Sequence, residues 1–162
     1  MAHQLDRWLY RGGRPNRVAA FLNGIWRRSA VIGLPPRRLC ELQVPGRRTG
    51  RTTAFPVVVT DYQGERYLVA MLGEGSNWAA NVRAAGGQAV LRHGSGEAVN
   101  LQEIDPAGRA AILRRYLHLA PGARSHIPVD PGASLADFER IAPQFPVFRV
   151  CAGQRSPAST LT

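Results

Sequence analysis

The sequence predicts an α+β domain in which six mainly antiparallel strands close into a small β-barrel with flanking helices. Three observations support this fold class. A chain of 162 residues suits a single domain with one sizeable core. Short runs rich in β-forming residues are joined by tight turns, and the pattern lacks the alternation of strand and helix that builds a parallel sheet.

Six strands are expected, each bounded by glycine, proline or other turn residues. Residues 61–64 join the second strand to the third, and residues 94–96 join the fourth to the fifth, so hairpins dominate. Hairpin sheets must protect their edges, which favours closure into a barrel. The expected strands are residues 38–44, 53–60, 66–72, 88–93, 97–104 and 145–151.

Three helices are expected between the strands. Each one follows a residue type that commonly caps a helix N-terminus. The signals are Ser76, for a helix to about residue 85; Asp105 with Pro106, for a helix to about residue 118; and Ser134 with Asp137, for a helix to about residue 142.

An amphipathic helix is expected near the N-terminus. Apolar residues recur at helical spacing over residues 16–29, and most arginines of that segment fall off the apolar stripe. The segment is expected to pack on the barrel, and peripheral contact with an anionic membrane surface is the alternative. The apolar residues are Val18, Phe21, Leu22, Ile25 and Trp26.

These patterns divide the chain into three parts. Residues 1–36 form an N-terminal helical segment, residues 37–151 form the barrel domain, and residues 152–162 form a tail that is small, polar and expected to be disordered. The N-terminus lacks the apolar core of a signal peptide, so we expect a cytoplasmic protein.

Positive charge is concentrated in the first third of the chain. The net charge is +10 and every basic residue is an arginine; residues 1–51 hold eleven arginines and two acidic residues, a balance of +9. This excess predicts an anionic partner, either a phosphorylated cofactor, a membrane surface or nucleic acid. Nucleic acid is disfavoured because the arginines are not interleaved with aromatic residues and no nucleic-acid-binding motif is visible.

Motifs for metal binding and nucleophilic catalysis are missing from the sequence. The two cysteines, Cys40 and Cys151, are far apart, and the four histidines have no metal-ligand spacing with them. No GxSxG motif occurs. The sequence therefore indicates neither a metal site nor a catalytic triad.

An arginine-rich turn is the strongest candidate binding site. Residues 46–51 lie between two predicted strands, with glycines that permit a tight backbone and exposed N–H groups. Three guanidinium groups and one hydroxyl then converge on a short loop, which is typical of an anion site. A solvated arginine hairpin is the alternative interpretation. The six residues are Gly46, Arg47, Arg48, Thr49, Gly50 and Arg51.

A second candidate stretch covers residues 69–81, where a strand ends in a glycine-rich loop that enters a helix. Small side chains and helix N–H groups at this point could receive a planar ligand. Trp78 and Asn81 share one face of that helix and are candidate contacts. A core tryptophan with a structural asparagine would give the same pattern.

Taken together, these stretches resemble the deazaflavin-dependent nitroreductase family. The resemblance covers about residues 37–151 and lies in an ordered set of motifs: Leu42-x-x-x-Gly46-Arg47-Arg48-Thr49-Gly50-Arg51, Pro56, Tyr67-Leu68-Val69-Ala70, Trp78-x-x-Asn81 and Phe145-Pro146-Val147-Phe148. It implies a split β-barrel fold that is related to flavin-binding oxidases of the pyridoxamine-phosphate-oxidase type. It also implies the cofactor coenzyme F-420, with FMN as a less favoured variant.

The resemblance implies roles for individual residues. The turn would hold the phosphate and glutamyl tail of the cofactor, through Arg47, Arg48, Thr49 and Arg51. The deazaflavin ring would be bordered by Pro56, Val58, Ala70, Met71 and Leu72. Candidate contacts for the acceptor substrate are Trp26, Arg124 and His126.

The implied activity is transfer of hydride between the reduced deazaflavin and a small organic acceptor such as a quinone, an enone or a nitro compound. The segment 119–126 replaces a tyrosine-rich segment of the family, so a different acceptor pocket is expected. The alternative is a non-catalytic binder of a hydrophobic anion such as a fatty acid or haem. Either a monomer or a homodimer is compatible with the sequence.

Overall fold

The computed structural model describes residues 38–153, and these form seven strands and three helices. The α+β class is confirmed for this part of the chain. The predicted N-terminal helix and most of the predicted tail lie outside the described residues. The strands are β1 (Leu39–Pro45), β2 (Thr52–Val58), β3 (Thr60–Tyr62), β4 (Glu65–Val69), β5 (Gln88–His93), β6 (Ser95–Glu103) and β7 (Val147–Ala152), and the helices are α1 (Asn77–Ala84), α2 (Ala110–Leu119) and α3 (Leu135–Ile141).

The strands form a single antiparallel sheet with the order β2-β1-β5-β6-β7-β4-β3. Its two edge strands, β2 and β3, are consecutive in the chain and are separated by Val59 alone. The sheet must therefore curl until its edges meet at this residue, which gives a half-barrel. The N–H of Val59 donates to the carbonyl of Arg38 at 2.7 Å and fixes the joint to the start of β1.

The predicted number of six strands was wrong because one apolar run forms two strands, β2 and β3, which pair with different neighbours. The run 53–60 pairs with β1 up to Val58, and after Val59 the chain pairs Thr60 with Tyr67 of β4 instead. The sequence on both sides of Val59 has the same β-forming character, so the pattern does not mark the change of partner. The other five predicted strands correspond to observed strands within a few residues.

Side chains alternate between two separate cores on the two faces of the curled sheet. In β4, Leu68 faces the interior core, whereas Tyr67 and Val69 face an outer core. Helix α1 contributes Trp78 to the interior core, where its ring centroid lies 5.4 Å from that of Phe148. Helices α2 and α3 supply the outer core, for example through Leu113, Leu117 and Phe138.

Two of the three predicted helix starts agree with the structure. Helix α1 follows Ser76, although the Ser76 hydroxyl makes no capping bond, and α3 follows Ser134, whose Oγ accepts from the N–H of Asp137 at 3.3 Å. The second start was placed too early. Residues Pro106–Gly108 form a 3₁₀ turn, and α2 begins at Ala110, since the Asp105 side chain caps no N–H group.

A buried arginine ties three segments of the outer core together. The Arg109 guanidinium donates to the carbonyls of Ile104 at 2.7 Å, Ala142 at 3.1 Å and Phe145 at 3.3 Å, and it pairs with Glu103 at 3.4 Å. Burial lowers the pKa of Arg109, and the negative charge of Glu103 opposes this shift. The side chain thus fastens the end of β6 to the turn that precedes β7.

Within residues 38–153, none of the helices is long and apolar enough to cross a membrane.

We expect Arg109→Met to lower the free energy of unfolding by about 3 kcal/mol, because it leaves buried carbonyl groups without donors. Urea denaturation measures the loss. Arg140→Met is the matched control, since Arg140 is 72% exposed on α3 and pairs with Asp137 one turn away; a change within about 0.5 kcal/mol is expected there. Equal effects of the two substitutions would contradict the structural role of Arg109.

Candidate functional site

The arginine turn is the hairpin loop between β1 and β2. Pro45 pairs with Thr52, and residues 46–51 project beyond this last pair. The N–H of Gly46 donates to the carbonyl of Arg51 at 2.7 Å, and the N–H of Gly50 donates to the carbonyl of Gly46 at 2.8 Å. Gly50 adopts φ of 68°, a left-handed conformation that glycine accepts without strain. The loop is therefore closed by its own backbone.

The loop is also fastened to α1. Asn81 Oδ1 accepts from the backbone N–H of Arg47 at 3.2 Å and from Arg47 Nη1 at 2.8 Å. Arg47 Nη2 lies 3.5 Å from Asn77 Oδ1, and Asn81 Nδ2 lies 3.4 Å from Thr53 Oγ1. The predicted site residues Arg47 and Asn81 are thus brought together. Asn77 and Thr53 were missed, because only the fold shows that α1 lies beside the loop.

All four polar residues of the loop are exposed, although the Arg47 guanidinium also bonds to α1. Arg48, Thr49 and Arg51 are all exposed, and Thr49 Oγ1 accepts from the N–H of Arg51 at 3.3 Å. Among the described residues, no carboxylate forms an ion pair with Arg48 or Arg51. Two uncompensated guanidinium groups beside a hydroxyl can bind phosphate or carboxylate groups.

An apolar strip follows the loop along the outer face of β2. Phe55, Val57 and Val59 pack on the interior core, so the alternate residues Pro56 and Val58 lie on the opposite face. Val58 packs against the outer core at the far end of the strand. The apolar strip therefore lies between the arginine loop, from which Thr52 separates it, and the junction with β3.

The segment after β4 continues this apolar surface. Ala70 is fully buried in the interior core, Met71 is half-buried against the outer core, and Leu72 is 59% exposed. The N–H of Ala70 donates to the carbonyl of Pro146 at 2.9 Å. Gly73 has φ of 72°, and a Cβ there would lie 3.0 Å from the carbonyl of Gln144. The backbone of the segment is thus held against the turn before β7.

The remaining predicted site residues differ in their environments. Trp78 is 9% exposed because its ring fills the interior core. Arg124 and His126 are exposed near the turn that follows α2, where Arg124 Nε donates to the carbonyl of Leu117 at 3.2 Å. Trp26 lies outside the described residues.

A chain of ion pairs links the segment after β4 to α1 and β6. Arg83 of α1 pairs with Glu74 at 2.8 Å and with Glu103 at 2.5 Å, and Glu103 also faces Arg109. The hydrogen bond from Arg83 is the main reason that the pKa of Glu103 is lowered. These pairs were not predicted, since their partners lie on separate elements and no local spacing relates them.

The fold is shared with solved structures, although no family model and no curated protein sequence matches the chain. A protein of unknown function from Agrobacterium tumefaciens is 13% identical with a TM-score of 0.53, over 75% of this chain and 53% of that one. An F-420-H2 dependent reductase is 15% identical with a TM-score of 0.48, over 72% and 96%. A haem-binding protein from Mycobacterium smegmatis is 13% identical with a TM-score of 0.48, over 70% and 45%. At 13% identity, the similarity to the Agrobacterium tumefaciens protein is one of fold.

We expect Gly50→Ala to destabilise the protein by about 1 kcal/mol, because a Cβ is strained at positive φ. No neighbouring atom lies within 4 Å of the added Cβ, so backbone strain alone is tested. Thermal or urea denaturation measures it. Gly75→Ala is the control, since that site is equally open and has no positive φ; no loss of stability is expected there. Equal losses would mean that the loop does not need the left-handed conformation.

We expect the stability difference between the wild type and Glu103→Gln to shrink in acid. A lowered pKa in the folded state means that the Glu103 carboxylate stabilises the fold above its unfolded pKa, near 4.3, and that this contribution disappears as pH falls through the folded pKa. Urea denaturation of both proteins between pH 7 and pH 3 provides the comparison. A difference that stays constant over this range would show that the charge of Glu103, which faces Arg83 and Arg109, does not stabilise the fold.

Proposed function

We propose that the chain binds coenzyme F-420 and is an oxidoreductase that transfers hydride between the reduced deazaflavin and a small organic acceptor. The observation that carries this proposal is the position of Arg48 and Arg51. Their guanidinium groups lie unpaired, within the described chain, at one end of the apolar strip of β2. A ligand that fits this surface has an anionic end and a planar apolar end.

The length of the strip supports an elongated ligand. Six residue steps separate Thr52, which follows the loop, from Val58, and an extended strand rises about 3.3 Å per residue, so the outer face of β2 is roughly 20 Å long and the apolar strip covers its far part. A compact anion would occupy the loop alone. An elongated ligand reaches from the loop to Val58 and Met71, which both pack against the outer core.

The residues present fit the chemical parts of coenzyme F-420. Its phosphate and glutamyl carboxylates suit the donors of Arg48, Thr49 and Arg51, which are exposed and face no carboxylate of the described chain. Its ring suits an apolar border, which Pro56, Val58, Met71 and Leu72 can provide. Leu72 is 59% exposed and is therefore accessible to a ligand.

In such a reaction the protein has to position the cofactor and the acceptor. When bound, the reduced deazaflavin supplies the hydride, so no catalytic side chain is required of the protein. The arginine loop fixes the anionic end, and the strip of β2 orients the ring face. Met71 and Leu72 exclude water beside the ring, and the bonds of Ala70 and the close approach of Gly73 hold that segment in place.

A non-catalytic binder of a hydrophobic anion, such as a fatty acid or haem, is the second candidate. The apolar side chains at the far end of the strip favour it, because Val58, Met71 and Leu72 offer no polar group to an electron acceptor. FMN in place of the deazaflavin is a variant of the first candidate. Further proposals come from the sequence. Arg124 and His126 contact the acceptor, the protein is cytoplasmic, and it is either a monomer or a homodimer.

Titration of the purified protein with oxidised coenzyme F-420, followed by fluorescence quenching, tests the proposed cofactor. Saturable binding with a Kd near or below the micromolar range is expected, with weaker binding of FMN and haem. Turnover with menadione, an enone and a nitroimidazole as acceptors then tests hydride transfer. Preferential binding of haem or of a fatty acid, with no response to F-420, would instead support the second candidate.

We expect Arg48→Ala and Arg51→Ala each to weaken F-420 binding by about 1–3 kcal/mol, or roughly 5- to 150-fold in Kd, because each removes a charged donor. The fluorescence titration measures both changes. Arg140→Ala removes the same charge from the exposed surface of α3 and should leave Kd within about twofold. Unchanged affinity in both loop variants would refute the assignment of the loop.

A further inference from the structure

We propose that Asn81 is a positioning residue for the arginine loop, and that Arg47 is committed to α1 and does not grip the ligand. The loop then presents two guanidinium groups, those of Arg48 and Arg51, to its anionic partner. This inference rests on the anion site of the proposed function and not on the identity of the ligand.

The side chain of Asn81 is buried and already bonded at both ends. It is 4% exposed. Its Oδ1 accepts two hydrogen bonds, from the backbone N–H of Arg47 at 3.2 Å and from Arg47 Nη1 at 2.8 Å, which uses both lone pairs. Its Nδ2 lies 3.4 Å from Thr53 Oγ1, and that hydroxyl donates to the carbonyl of Val44 at 2.8 Å. The amide oxygen is therefore not available to a ligand.

The guanidinium of Arg47 is directed to the helix. Nη1 donates to Asn81, and Nη2 lies 3.5 Å from Asn77 Oδ1, so the group spans two residues one turn apart on α1. Arg48 and Arg51 have no comparable bonds within the described chain. The three arginines of the loop thus divide into one that anchors and two that are free to bind.

The physical effect of this anchor is preorganisation. The loop closes on its own backbone at Gly46 and Gly50, and the amide of Asn81 fixes the loop to a helix that is packed in the interior core. A loop that is ordered before binding loses less conformational entropy when the ligand arrives. Asn81 therefore increases affinity without touching the ligand.

A double-mutant cycle separates anchoring from direct contact. The cycle compares the wild type with Arg47→Ala, Asn81→Ala and the double variant. Each protein is titrated with coenzyme F-420, followed by fluorescence, and with tripolyphosphate, followed by calorimetry. The salt concentration is 0.15 M, which screens long-range charge effects. Arg47→Ala should weaken binding less than threefold, because the backbone N–H at position 47 still donates to Asn81. Asn81→Ala should weaken binding about tenfold, and the double variant should match Asn81→Ala within twofold. Arg140→Ala, on the exposed surface of α3, is the control and should change Kd less than twofold.

Direct contact of Arg47 with the ligand predicts a different pattern. Arg47→Ala would then weaken binding as much as Arg48→Ala does, and its effect would add to that of Asn81→Ala; this result overturns the proposal. Failure of tripolyphosphate to bind the wild type overturns the anion site and the proposal with it. Binding of tripolyphosphate with the expected pattern, but no binding of F-420, would sustain the anchor and refute the proposed cofactor.

Hydrogen exchange provides a readout that does not depend on a ligand. In the ligand-free wild type, the amide at position 47 should exchange slowly because it donates to a buried side chain. Slow exchange of this amide should persist in Asn81→Asp, which keeps an acceptor. It should be lost in Asn81→Ala, while the amides of the central strands of the sheet stay protected. Rapid exchange of this amide in the folded wild type overturns the proposal even if Asn81→Ala does not fold.

Discussion

The joint at Val59 is the constraint on which the described structure depends. Because β2 and β3 are consecutive in the chain and lie at opposite edges of the sheet, the sheet cannot be flat. Its curvature encloses the interior core, and it leaves the other face of β4 and β7 to α2 and α3. The same curvature brings the end of β2 near β4, so that Val58 and Met71 can contribute to one apolar surface.

Helix α1 connects the core to the candidate site. Its buried face carries Trp78 and Val82 into the interior core, and Asn81 on the same short helix bonds to the arginine loop. Arg83, two residues further, pairs with Glu74 and Glu103. One eight-residue helix is thus attached to the core, to the loop and to the glycine-rich segment, which makes the geometry of the site a consequence of core packing.

Local signals predicted the parts of the fold that depend on local chemistry. The strand positions, the start of α3 at Ser134 and the hairpin at residues 46–51 follow from turn and capping residues, which act within a few positions of one another. The division of the run 53–60 at Val59 could not be predicted in this way, because it depends on which strand lies beside each half. The bonds of Asn81 to Arg47 were hidden for the same reason: 34 positions separate the two residues. The motif suggested that they belong to one site, and the fold defines their contact.

The buried position of Arg109 provides a structural reason for arginine at one position of a chain whose basic residues are all arginine. All 21 basic residues are arginine, and a bias in codon usage would account for such uniformity at exposed sites. At position 109 the planar fork directs donors toward carbonyls of residues 104, 142 and 145 and toward one carboxylate. A lysine has a single, compact ammonium group and cannot reproduce that divergent geometry. Arginine is required at this position by the directions of its donors. A chain recoded with lysine throughout would therefore lose the bonds between residue 109 and these carbonyls, whereas its exposed positions would tolerate the exchange.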